Sequence, residues 1–123
     1  MPSNRTRGLV AGTVALATTL LGACESSTPA DAFRADAEAL KRGKALFAGT
    51  CAGYCHSPAV ERAAPYLFDC TWRKGSGTDQ EIFDAIADGV PDTAMLGFRG
   101  KLPEGDADIW RLVAYITTSG PGC

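Results

Sequence analysis

The chain has 123 residues and a mass of 12.8 kDa, which leaves room for one small domain and excludes a large doubly wound sheet or barrel. Twelve basic against fourteen acidic residues give a net charge of −2, without a basic run, which excludes a nucleic-acid binder that works through the phosphates. Aromatic content of 8% means a lean core, of the kind that draws stability from a disulfide, a metal or a large cofactor. With five cysteines, one histidine and two methionines, each candidate ligand has almost no competitor.

At the start of the chain, Arg5 and Arg7 precede an uncharged stretch rich in Leu, Val and Ala, Gly8 to Ala23, which ends in Leu21-Gly22-Ala23-Cys24. Basic residues, an apolar run too short to span comfortably and small residues before a cysteine predict an export signal over 1–23. The cysteine resembles that of a bacterial lipobox, so Cys24 is the expected lipid attachment point, and two or three chains anchor stably where one would not. The plainer alternative is a soluble export signal that happens to contain a cysteine. Glu25, rather than aspartate, is compatible with the outer membrane if the cell has two. The expected location is therefore the periplasmic face of a bacterial membrane, with 24–35 a flexible polar tether and 36–123 the domain.

Three segments carry helical periodicity. The first runs from about Ala32 to Ala48, with Leu40 and Phe47 apolar and Ala37 and Gly43 small. The second opens on a capping box at Thr78-Asp79-Gln80-Glu81, continues with Ile82, Phe83, Ile86 and Val90 at helical spacing, and has Gly89 where a terminating glycine belongs. The third starts near Asp106, presents Ile109, Leu112, Val113 and Ile116 on one face, and stops at Gly120-Pro121. Nothing alternates at period two for long enough to predict a sheet, so the fold class is all-α with long loops.

Cys51-Ala52-Gly53-Tyr54-Cys55-His56 follows directly on the first helix. In c-type haem attachment two thiols add across the porphyrin vinyl groups and the adjoining histidine ligates iron. The usual spacing is C-x-x-C-H; here it is one residue longer, and Gly53 is expected to take a positive φ that lets the extra residue bulge out. Two plainer readings compete: a short-loop disulfide between Cys51 and Cys55, or a soft-metal site of two thiolates and an imidazole that lacks a nearby fourth ligand. A haem iron held by one histidine needs an opposite ligand. Met95 is the only methionine besides the initiator, and it lies in a Gly/Pro-rich loop, Gly89 to Phe98, between the second and third helices. A flexible thioether on a loop suits that task, although a lone methionine more often packs a core.

On these residues the chain resembles the small class I bacterial cytochromes c over about 36–118. It looks closest to those that serve quinoprotein dehydrogenases or terminal oxidases, through Leu67-Phe68-Asp69-Cys70-Thr71-Trp72 and Gly89 to Phe98. The resemblance implies a small helical domain wrapped around one covalently bound haem c, with Cys51 and Cys55 as thioether links, His56 as proximal and Met95 as distal ligand. It further implies that the Pro65 carbonyl accepts the other N–H of the proximal imidazole. Trp72, or less readily Arg73, would donate to a haem propionate. Gly43 and Phe47 would cross Leu112 and Tyr115 where the terminal helices meet. Once lipid and haem claim three cysteines, Cys70 and Cys123 remain as a candidate disulfide.

The expected function is a membrane-tethered one-electron carrier, not an enzyme. It would pass electrons from a dehydrogenase to an oxidase or another cytochrome through a haem edge ringed by Ala52, Tyr54, Leu96 and Phe98. Two alternatives stand: a haem enzyme or gas sensor with a labile distal ligand, and a haem-free lipoprotein module with a disulfide.

Overall fold

A computed structural model of the protein describes residues 27–57 and 64–120. The export signal, Cys24 and Cys123 lie outside these residues.

Thr28 opens helix α1 (Pro29–Arg34) with a capping box: its N–H donates to Asp31 Oδ2 at 2.8 Å, and Pro29 sits in the first turn, where its missing N–H costs nothing. Asp36 then starts a second helix, α2 (Ala37–Leu46), by accepting the N–H groups of Glu38 and Ala39 at 2.9 and 3.3 Å. The single helix expected from Ala32 to Ala48 is therefore two helices. The Asp36 carboxylate satisfies donors at the new start, and the helical ladder is interrupted there. The expectation that residues through 35 form a flexible tether is also corrected for 29–34. Ala30 has no exposed surface, Phe33 packs against the core, and the Arg34 guanidinium pairs with Asp79.

α2 runs without interruption into a π-helical turn, Phe47–Ala52. α3 (Asp79–Asp88) begins where the capping box predicts. Thr78 Oγ1 accepts from the Glu81 N–H, and Glu81 Oε2 accepts from the N–H groups of Thr78 and Ser76, each at 3.0 Å. Those backbone donors hold the Glu81 carboxyl down at about 2. Gly89 ends the helix with φ +80°, a conformation a side chain would resist. α4 (Asp106–Ser119) stops at Gly120.

α4 is the central element and packs against α1, α2 and α3. Its predicted face, Ile109, Leu112, Val113 and Ile116, is buried against Ile82, Phe83 and Ile86 of α3, each such side chain contributing about 1.5–3 kcal/mol. Val90, the last residue of the periodic run, lies beyond the helix and is half-buried. At the α2–α4 crossing a Cβ on Gly43 would overlap the Arg111 carbonyl oxygen and stand 3.0 Å from Tyr115 Cβ; the glycine is what lets the two backbones meet. Phe47 and Tyr115 flank that crossing at 5.6 Å, and Phe68 closes on both, at 5.1 and 5.8 Å. On the same crossing Asp108, fully buried, accepts from Arg42 (2.6 and 2.8 Å), from Arg111 (2.7 Å) and from the Glu104 N–H (3.0 Å). No strand occurs among the described residues; one isolated antiparallel bridge joins Gly89 and Leu96.

Candidate functional site

The attachment motif begins inside the π-helical turn and ends just beyond it. Gly53 has φ −55° and ψ −40°, which corrects the expected positive φ. The extra residue is absorbed by winding rather than by a bulge: His56 N–H donates to Cys51 O at 3.0 Å, a bond across five residues, one more than an α-helix uses. Gly53 faces open space, so the wider turn meets no neighbour there. Cys51 and Cys55 are both free thiols, and the competing short-loop disulfide is not formed. Cys51 packs against the core, and burial, together with the nearby Cys55 thiol, pushes its thiol up to about 11. Cys55 is exposed. The described residues hold no cluster of three or more His, Cys, Asp or Glu able to bind a metal.

His56 is nearly buried, and its Nδ1 lies 2.8 Å from the Pro65 carbonyl oxygen. A carbonyl oxygen only accepts, so Nδ1 is the donor of this bond and Nε2 is the ring nitrogen left for another partner. The proline named from sequence is thus in contact with the histidine named from sequence. That bond fixes the ring's tautomer and rotation, as an outer partner does for a metal-ligating imidazole.

Met95 is half-buried and packs against the same core as Cys51, Leu67, Phe68 and Trp72. Its loop is stapled to the end of α3. Val90 N–H donates to Met95 O (3.0 Å), Phe98 N–H to Ile86 O (2.9 Å) and Arg99 N–H to Ala87 O (2.9 Å). Added Cβ atoms at Gly89 and Gly97 would stand 2.6 Å from Met95 O and Ala87 O, so both glycines are needed for this approach. Within the loop, Thr93 Oγ1 accepts from Met95 N–H (3.1 Å) and donates to Val90 O (2.7 Å). Thr93 was not among the residues singled out from sequence; its signal is a hydroxyl two residues before the methionine, the pattern of a local side-chain turn. Trp72 is half-buried over Gly77, where a Cβ would overlap the indole nitrogen and the φ of +80° would itself resist a side chain. Arg73 is exposed. Cys123, the expected disulfide partner of Cys70, lies outside the described residues. Around the site Tyr54 is 85% and Leu96 71% exposed, while Ala52 and Phe98 are half-buried.

This donor set fits a covalently attached haem. Two unpaired thiols flank a turn that ends on an imidazole with one free nitrogen, and a thioether is held on the same core. Residues 38–116 match the family described as cytochrome c oxidase, cbb3-type, subunit III. No curated protein and no solved structure matches the chain. The matched stretch starts in α2 and ends in α4, taking in both thiols, His56, Pro65, Trp72 and Met95. The chain therefore belongs to this family, a cytochrome c domain of all-α fold whose cofactor is covalently bound haem c.

Proposed function

We propose that the protein is a one-electron carrier, not an enzyme, that works at the periplasmic face of a bacterial membrane through a haem ligated by His56 and Met95. Haem c, when bound, supplies a reversible Fe(II)/Fe(III) couple. Cys51 and Cys55 would hold it by thioether links, and His56 would present Nε2 from a ring locked by Pro65. The observation that carries this reading is the 2.8 Å contact between His56 Nδ1 and Pro65 O, which fixes the orientation of the imidazole. Met95, on a loop pinned to α3 at several backbone positions, presents a soft thioether that favours the ferrous state. With His56 and Met95 both holding the iron, these two side chains would leave oxygen or peroxide no place to bind. Trp72 would donate its indole N–H to a propionate.

Tyr54 and Leu96, largely exposed beside half-buried Ala52 and Phe98, make a small apolar rim suited to brief docking with a dehydrogenase, an oxidase or another cytochrome. Residues 1–23 direct export and Cys24 carries the lipid, on the outer membrane where there are two. Cys70 pairs with Cys123, a long closure that contributes about 3–4 kcal/mol in the loop-entropy picture.

A haem stain of a denaturing gel tests covalent attachment. Met95→Ala should abolish the weak methionine–iron charge-transfer band of the ferric protein and open the iron to carbon monoxide. An unchanged band, or carbon monoxide binding already present in the unaltered protein, refutes the His/Met ligation.

A further inference from the structure

We infer that the N-terminal segment is a short, clasped strap that keeps the domain against the lipid surface, with the Met95 loop at the far end of α3 from the point where the strap enters. This rests on the lipid-anchor reading of Cys24 and goes beyond it in giving the domain a distance and an orientation.

A free tether through residue 35 would let the domain swing. Instead the described chain is already committed at Thr28, which caps α1 and donates its hydroxyl proton to Asp79. Ala30 is fully buried. Arg34 pairs with Asp79 at the start of α3 and donates to Thr117 Oγ1 near the end of α4, at 2.9 and 3.2 Å. The pair is mostly withdrawn from solvent, with 28% and 16% of the side chains exposed. A helix of six residues has no stability of its own; α1 exists because it is docked.

Thr28 is four positions beyond Cys24, a reach of at most about 14 Å for extended chain. Were α1 free as far as Asp36, the reach would be about 42 Å. The docked strap thus holds the domain within roughly its own radius of the anchor. Asp79 opens α3, whereas the Met95 loop bonds to Ile86, Ala87 and Gly89 at its other end, about 15 Å along a ten-residue helix. Leu96 is therefore kept off the point of entry and open to a partner moving in the same membrane. From residue 27 to 35 the single basic side chain is Arg34, which is held by Asp31, Asp79 and Thr117. Attraction to anionic lipid is not what holds this end down.

The test uses the full haem-loaded, lipidated protein in phosphatidylcholine vesicles containing a headgroup-labelled fluorescent lipid, with haem as the quencher. The unaltered protein should quench strongly. Inserting about twenty Gly/Ser residues between Ser26 and Ser27 should abolish most of that quenching. Arg34→Glu, which puts like charges opposite Asp79, should lower it while leaving the haem spectrum unchanged. Equal quenching by the unaltered and inserted proteins, each carrying acyl chains by mass spectrometry, overturns the strap alone. A mass without acyl chains overturns the lipid anchor, and the strap with it.

Discussion

Asp108→Asn exchanges one oxygen for an amide nitrogen in a fully buried position, and the local geometry sets its cost. One carboxylate oxygen of Asp108 accepts from Arg42 Nε and Arg111 Nη1, the other from Arg42 Nη2 and the Glu104 N–H. Asparagine keeps one acceptor, so whichever way it turns, two of the four donors face an NH2 group. Losing a partner of a buried charge costs about 3–5 kcal/mol. Arg42 keeps a third of its side chain in water, and both arginines retain Glu104, so about 2–3 kcal/mol is the better figure here. For a domain of this size that lowers Tm by roughly 10–20 °C.

The cost also depends on pH. Arg42 first, with the Glu104 N–H and Arg111, holds the Asp108 carboxyl at about 2 against an ordinary value of 3.8. The folded value is depressed, so the stabilisation is complete above about pH 4 and drains away as pH falls towards 2. Denaturant unfolding followed by far-ultraviolet circular dichroism at pH 7 and at a series of acid values should show the gap between native and variant closing over that window. A variant within about 0.5 kcal/mol of the native protein at pH 7, or a gap that persists unchanged at pH 2, refutes this reasoning.

Other perturbations read different parts of the fold. Gly43→Ala places a methyl against the Arg111 carbonyl; the overlap, costing about 1–3 kcal/mol, outweighs a helix-propensity gain of about 1 kcal/mol, and a denaturation midpoint at or above the native one counts against that close approach. Gly77→Ala, strained at φ +80° and overlapping the Trp72 indole, should lower stability by about 1–3 kcal/mol and displace the tryptophan, which an altered near-ultraviolet dichroism band would report. Deleting Gly53 removes the residue that makes the His56–Cys51 bond span five positions; haem stain and far-ultraviolet dichroism should both survive, and a colourless, misfolded product would mean that the π-helical turn is required for attachment.

Much of this molecule was legible in the sequence wherever the causes are local. α3 starts and stops where its capping box and Gly89 predict, because the Thr78 and Glu81 side chains satisfy free N–H groups at the helix start, while α4 runs from Asp106 to Ser119 as its apolar period predicts, with no side-chain cap on Gly105. Cys51, Cys55 and His56 stood out in the sequence as a candidate unit because attachment chemistry needs them adjacent, and the structure adds the contact of His56 with Pro65 and the packing of Met95 on the same core as Cys51. What the tertiary structure decided are outcomes of competition between distant groups. Asp36 splits the first helix, and Arg34 then docks the leading piece on Asp79 and Thr117. The inserted residue widens a turn instead of bulging, since a π-helical ladder keeps the His56 N–H bonded where an unpaired donor would carry a penalty. Asp108, in the first turn of α4, sits at the centre of the α2–α4 crossing because Arg42, sixty-six positions earlier in the chain, arrives there only when the helices pack.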